Sequence, residues 1–156
     1  MLDSRRQSYL DAMGITTWVL RDPGRCVGAA PAAEPVLKLG PGNGGTLMVC
    51  ADGTEAASSL ASDISRALCG VPVWAWPVTA GDGCVTLEQA VGERLFTSVA
   101  IFGAALAASF FPRTPPDRVQ TAKLVYLPSL PDLERDGDAR RGLWLELCRA
   151  GIVDGG

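Results

Sequence analysis

The side chains best placed for chemistry are few. There are five cysteines, Cys26, Cys50, Cys69, Cys84 and Cys148, and no histidine. None of the cysteines is spaced as CxxC, and an odd number fits reduced, cytosolic thiols better than a disulfide framework. Without histidine, the usual zinc sites and the Ser-His-Asp and Cys-His catalytic arrangements are excluded. Cys50, inside an apolar run, and Cys148, on a helical pattern, read most simply as small core residues.

Two further stretches invite a functional reading. Gly40-Pro41-Gly42-Asn43-Gly44-Gly45 offers backbone amides to a phosphate, but it precedes a strand instead of joining a strand to a helix. It also lacks the Gly-Lys-Ser/Thr of a P-loop. Ala51-Asp52-Gly53-Thr54 places an acid just after a strand, where α/β enzymes keep active-site turns. As a plain helix cap Asp52 needs no further role. No second carboxylate, base or nucleophile is spaced in sequence to work with it, so the residues favour a protein that is not an enzyme. The competing class is a small-molecule enzyme or nucleotide-binding module of flavodoxin-like shape.

The elements that must position these residues alternate in type. Residues 46–51 form a near-continuous apolar run, as do 98–102 and 123–127, and 71–77 is an apolar strand bounded by prolines. Such runs read as strands buried on both faces. Between them, Ala57, Leu60, Ala61, Ile64 and Leu68 recur at helical spacing. Thr86 and Gln89 make a capping box before Leu87, Ala90, Val91 and Leu95, and a last helix starts near Asp138 with Leu143, Trp144 and Leu147 inward. Strands alternating with helices imply a parallel sheet with helices on its faces. The expected fold is therefore α/β, with a small four-stranded parallel sheet flanked by helices in a body spanning 46–156. Trp74 and Trp76 share one strand face and read as core, while Phe110-Phe111 is the weaker candidate for a partner surface.

Ahead of the body the composition changes. Residues 25–45 are mostly Ala, Pro and Gly and read as a flexible linker, with Val36, Leu37 and Leu39 able to rest on the domain as a short edge strand. Residues 1–24 differ again. Ser4 and Gln7 form a capping box, Tyr9, Leu10 and Met13 share a helical face, Gly14 ends the helix, and Thr16 to Leu20 turns to period two before Pro23-Gly24. A helix shorter than about 12 residues is marginal alone in water. An apolar, capped peptide on a tether has the profile of a segment that orders on binding, although the same residues would also serve as the first helix and strand of the domain.

The chain carries a net charge of −3 and no dense run of Lys and Arg, which argues against direct nucleic-acid binding. No charged-then-apolar signal opens the sequence, and 99–111 is too short and interrupted to span a bilayer, so the expected location is the cytoplasm, with no membrane partner.

Several motifs carry a resemblance. Ser4-Arg5-Arg6, Leu10, Met13-Gly14-Ile15-Thr16, Trp18, Leu20-Arg21 and Pro23-Gly24 look like the N-terminus of the psi subunit of the bacterial DNA polymerase III clamp-loader complex. Near the other end, Leu130-Pro131-Asp132-Leu133, Ala139-Arg140-Arg141, Leu143-Trp144 and Leu147-Cys148 match as well. The stretch from 104 to 122 is longer than that family leads one to expect. The resemblance implies a small α/β domain with a four-stranded parallel sheet, no cofactor, and a connector role in DNA replication. The body would bind the chi subunit, which in turn holds single-stranded-DNA-binding protein. The N-terminal peptide would dock on the collar of the clamp-loader gamma/tau subunits through Arg5, Arg6, Tyr9, Leu10, Met13, Gly14, Ile15, Trp18 and Leu20.

Overall fold

Four hydrophobic strands lie side by side and parallel at the centre of the molecule. In the computed structural model, which describes residues 34–68, 70–79 and 81–153, these are β2 (Thr46–Val49), β3 (Val73–Val78), β5 (Ser98–Phe102) and β7 (Ala122–Leu127). Their pairing is continuous, with Met48 opposite Trp74 on one side and Ala100 on the other, and Ala100 opposite Val125. The expected sheet of four parallel strands is nonetheless too small. Three strands join it antiparallel: β1 (Val36–Leu39) on β3, β4 (Val85–Thr86) on β1, and β6 (Arg118–Val119) on β7. Among the described residues the result is a seven-stranded mixed sheet in the order β4-β1-β3-β2-β5-β7-β6.

Strand β1 also corrects the expected linker. Leu37 is fully buried, and the strand lies between β3 and β4 instead of resting at an edge. A four-residue strand with only three apolar side chains gives little periodic signal; its pairing with the proline-bounded β3 decides the matter. Pro77 does not confine β3 to an edge or to pairing at its middle: the strand is interior, and its ladder with β1 runs through Pro77, opposite Leu37, to Val78.

The helices are α1 (Gly53–Ala56), α2 (Ser59–Ala67), α3 (Leu87–Arg94), α4 (Ala104–Phe110), α5 (Leu130–Arg135) and α6 (Gly137–Arg149). Their caps follow from sequence. Ser58 accepts from the Ala61 amide, Thr86 and Gln89 complete a reciprocal capping box, and Ser129 accepts from the Asp132 amide with Pro131 in the first turn.

Alternate residues of each parallel strand feed two cores. Leu47, Val49, Val99, Ile101 and Leu124 pack with Leu87, Ala90 and Val91 of α3 and Ala107 of α4. Met48, Cys50, Ala100, Phe102, Val125 and Leu127 pack with Ala61 and Ile64 of α2, Leu130 and Leu133 of α5, and Leu143 and Leu147 of α6. A strand buried on both faces cannot show alternation, which is why these segments read as unbroken apolar runs. Among the described residues, no helix is long and apolar enough to cross a membrane.

Candidate functional site

In chain order the parallel strands are arranged second-first-third-fourth, so the connections diverge between β2 and β5. Ligands of open α/β sheets bind outside the carboxyl ends of the strands at such a point. Here the turn after β2 carries Cys50 and Asp52, and the turn after β5 carries Gly103. Asp52 caps α1: its Oδ1 accepts from the Thr54 amide at 2.8 Å, the Glu55 amide at 2.9 Å and the Thr54 hydroxyl. Glu55 in turn accepts from the Ala51 amide at 3.0 Å. The Thr54 hydroxyl bond, aided by the Glu55 amide, holds the Asp52 carboxyl below its ordinary range. Such a carboxylate stays ionised at neutral pH and is poorly suited to give up a proton.

Cys50 is no better suited to attack. Its thiol donates to the Asp52 carbonyl at 3.2 Å and the Ala75 carbonyl at 3.5 Å. Burial first, then the charges of Glu55 and Asp52, push its pKa up to about 12. The thiolate, which is the reactive form, is scarce at such a site. Beside this turn lies a hollow of about 200 Å³ lined by Thr54, Glu55, Ser58, Leu130, Pro131 and Glu134. Two carboxylates and no cation line it, so it offers nothing to a phosphate. Gly103 has φ +105°, and its amide donates to the Leu127 carbonyl at 2.8 Å, tying β5 to β7 where α4 begins.

The glycine run has a structural use of its own. The Gly40 and Gly44 amides donate to the Trp74 and Val71 carbonyls at 2.7 and 2.8 Å. A Cβ at Gly42 would lie 2.6 Å from the Pro72 carbonyl oxygen, and one at Gly44 would lie 2.5 Å from that of Val71. The run is packed backbone to backbone against the start of β3, at the amino ends of the parallel strands. It is neither linker nor phosphate loop.

Arg5, Arg6, Tyr9, Leu10, Met13, Gly14, Ile15, Trp18 and Leu20 lie outside the described residues, as does Cys69. Of the aromatics that do have a place, Trp74 is buried and stacks on Phe102 with ring centroids 5.6 Å apart, its indole N–H donating to Ser65 at 2.9 Å. Trp76 packs half-buried against the same core. Phe110 and Phe111 are not a free patch: both pack partly buried against the opposite core. Cys148, expected in a core, is exposed. Leu95, expected inward, caps α3 in the left-handed conformation with its side chain 76% exposed.

A concave surface that sequence reasoning missed runs between α6 and the outer edge of β7. One hollow of about 270 Å³ is lined by Tyr126, Pro128, Ala139, Gly142, Leu145 and Glu146, among others. An adjoining hollow of about 250 Å³ continues past Glu146 and Arg149 to Lys123. Leu145 is 60% exposed on its rim. The signal for it was in the run Leu143-Trp144-Leu145-Glu146-Leu147, which holds more large apolar residues than one buried stripe can take. Among the described residues no group of three metal-ligating side chains occurs. No family model, curated protein or solved structure matches this chain.

Proposed function

We propose that the protein is a connector subunit of the psi type, without catalytic activity of its own. Its N-terminal peptide binds the collar of a clamp-loader ATPase, and its α/β body binds a chi subunit, through which single-stranded-DNA-binding protein is held. The observation that carries this reading is the pair of residue patterns, Arg5-Arg6 to Gly24 and Leu130 to Cys148, each in the order the psi family has them. Two features of the body support it. The polar groups at the strand divergence are engaged in capping, and among the described residues a concave, largely apolar surface lies open between α6 and β7. The expected mechanism on the N-terminal side is coupled folding and binding, with Trp18 filling a pocket and Arg5 and Arg6 setting register against acidic groups or helix C-termini.

The test is a titration of the full chain against the clamp loader and, separately, against chi. An anchor tryptophan buried in a partner's pocket typically costs about 2–4 kcal/mol on truncation, or roughly 30- to 1000-fold in affinity. Trp18→Ala should therefore lose at least about ten-fold in loader affinity while keeping chi binding and thermal stability. Thr17→Ala, on the other side of the extended segment, should cost much less. Normal loader binding by Trp18→Ala, or a parallel loss of chi, overturns the division into peptide and adaptor.

A further inference from the structure

We propose that the groove between α6 and β7 is the docking site for an amphipathic helix of a partner protein. That helix lays apolar side chains along Ala139, Gly142 and Leu145 and brings a carboxylate to Lys123 and Arg118. The assignment rests on the connector reading above and names the surface by which the body holds its partner.

The first argument comes from Gly142, which sits in the middle of a 13-residue helix. Glycine there costs about 1 kcal/mol relative to alanine. At Gly42 and Gly44 the chain's own backbone demands the missing Cβ; at Gly142 a Cβ would meet nothing within 4 Å. Among the described residues nothing requires glycine at this position, yet the residue lines the groove. A second element approaching α6 from outside supplies the requirement. Ala139, one turn earlier, leaves the same space open, and helix axes settle about 8–10 Å apart, nearer when the contact residues are small. Leu145, exposed on the rim, becomes covered once a partner is seated.

The occupant is a helix and not an added strand. The outer edge of β7 is already engaged at Leu124, whose amide donates to the Asp117 carbonyl at 2.8 Å. The Tyr126 hydroxyl donates to the Pro116 carbonyl at 2.6 Å, and Pro128 follows at once. Prolines and such tethers are how sheet edges are closed to further pairing. From Ala139 to Arg149 the groove follows α6 for about 15 Å at 1.5 Å per residue, enough for some ten residues of a partner helix.

Charge fixes which way the partner lies. Lys123 lines one end of the groove and Arg118 is its cross-strand neighbour, both exposed. Among the described residues neither has a carboxylate within ion-pair distance, whereas Arg149 beside them is paired to Glu146 at 2.8 Å. The other end, at Pro128 and Ala139, is apolar. A partner complementary to this surface is therefore apolar over its length and acidic at one end, and the charges contribute more to encounter rate and orientation than to affinity.

The experiment is calorimetric titration of the full chain with isolated chi, at two salt concentrations, alongside thermal melts. Gly142→Leu projects into open space and replaces a poor helix former, so it should melt at or above the wild-type temperature. It should bind chi at least about ten-fold more weakly, as expected for an obstructed interface centre. The double variant Lys123→Glu, Arg118→Glu should bind several-fold more weakly and lose most of the salt dependence. Chi binding by Gly142→Leu within two-fold of wild type overturns the groove. So does a lower melting temperature for that variant, because the position would then be needed by the fold. Unchanged salt dependence in the double variant overturns the carboxylate contact. If the wild-type chain itself does not bind chi, the connector reading falls and this assignment with it.

Discussion

On the face of the sheet that carries α3 and α4, aromatic side chains seal the surface. Phe110 and Phe111, with ring centroids 6.4 Å apart, close down beside Leu87 and Val119, and the hollow left between them measures only about 50 Å³. On the opposite face Trp74 stacks on Phe102 inside the core, and the outermost helix borders the sheet edge with small residues, Ala139 and Gly142, leaving about 270 Å³ open. Both faces are built from the same four strands, so the difference lies in the covering helices. The α4 helix ends in two phenylalanines that find the core, whereas α6 spends its small residues toward the sheet edge and turns Leu145 outward. Among the described residues, one face is closed by its own side chains and the other keeps an open groove.

The largest effect that tests this contrast comes from the two phenylalanines that represent the faces. Phe102 is 1% exposed and stacked on Trp74. Phe102→Ala should cost about 3–5 kcal/mol in denaturant unfolding, the usual range for a buried aromatic. Phe110→Ala, only partly buried, should cost no more than about half of that, since the transfer term scales with the apolar area removed from water. Equal losses would mean that Phe110 is as much a core residue as Phe102 and that the first face is not merely sealed by it.

How far this contrast was legible in the sequence depends on the kind of signal each element gives. The four parallel strands and the helices at α2, α3 and α6 are visible because unbroken apolar runs, capping boxes and helical spacing are local. Strands β4 and β6 are not, because two residues carry no period and are created by pairing with distant partners; β1 shows only as a candidate edge strand, since its place between β3 and β4 is set by that pairing. The glycine run was misread for the same reason: its glycines are demanded by the Val71 and Pro72 carbonyls, some thirty residues away in sequence, and composition alone makes such a stretch resemble a linker. Leu95 shows the limit of periodicity, since it falls on the inward stripe of α3 but caps the helix at φ +55°, which swings the side chain outward. The groove belongs to neither α6 nor β7 alone, so only Gly142 and the excess leucine hinted at it.

A middle-sized effect separates the faces by pH. Cys50 belongs to the core under α2, α5 and α6. Its folded pKa is raised to about 12 from an ordinary 9.0, so the unfolded thiol ionises first as pH rises. Its contribution to stability is then present in full below pH 9 and is lost as pH climbs toward 12. Melting temperature should fall across that window, and Cys50→Ala, though less stable at neutral pH, should show a shallower alkaline decline. An identical decline in both proteins would place the alkaline sensitivity elsewhere. At pH 8 an alkylating reagent should reach exposed Cys148 well before Cys50.

The smallest expected change is also the most direct check that the second face is open. Leu145 points away from the stripe formed by Leu143 and Leu147, which are 1% and 0% exposed, and is itself 60% exposed. In a helix whose rim is uncovered, Leu145→Ser removes little buried area and exchanges a good helix former for a middling one. The expected cost is about 0.5 kcal/mol or less, the usual scale for a surface substitution. Chemical denaturation of the purified chain resolves a larger loss easily. A cost of about 2 kcal/mol would be the signature of a buried leucine. It would mean that some part of this chain, or a second copy of it, already covers the rim in solution. The contrast between a finished face and an open one would then disappear, because both would be closed without any partner.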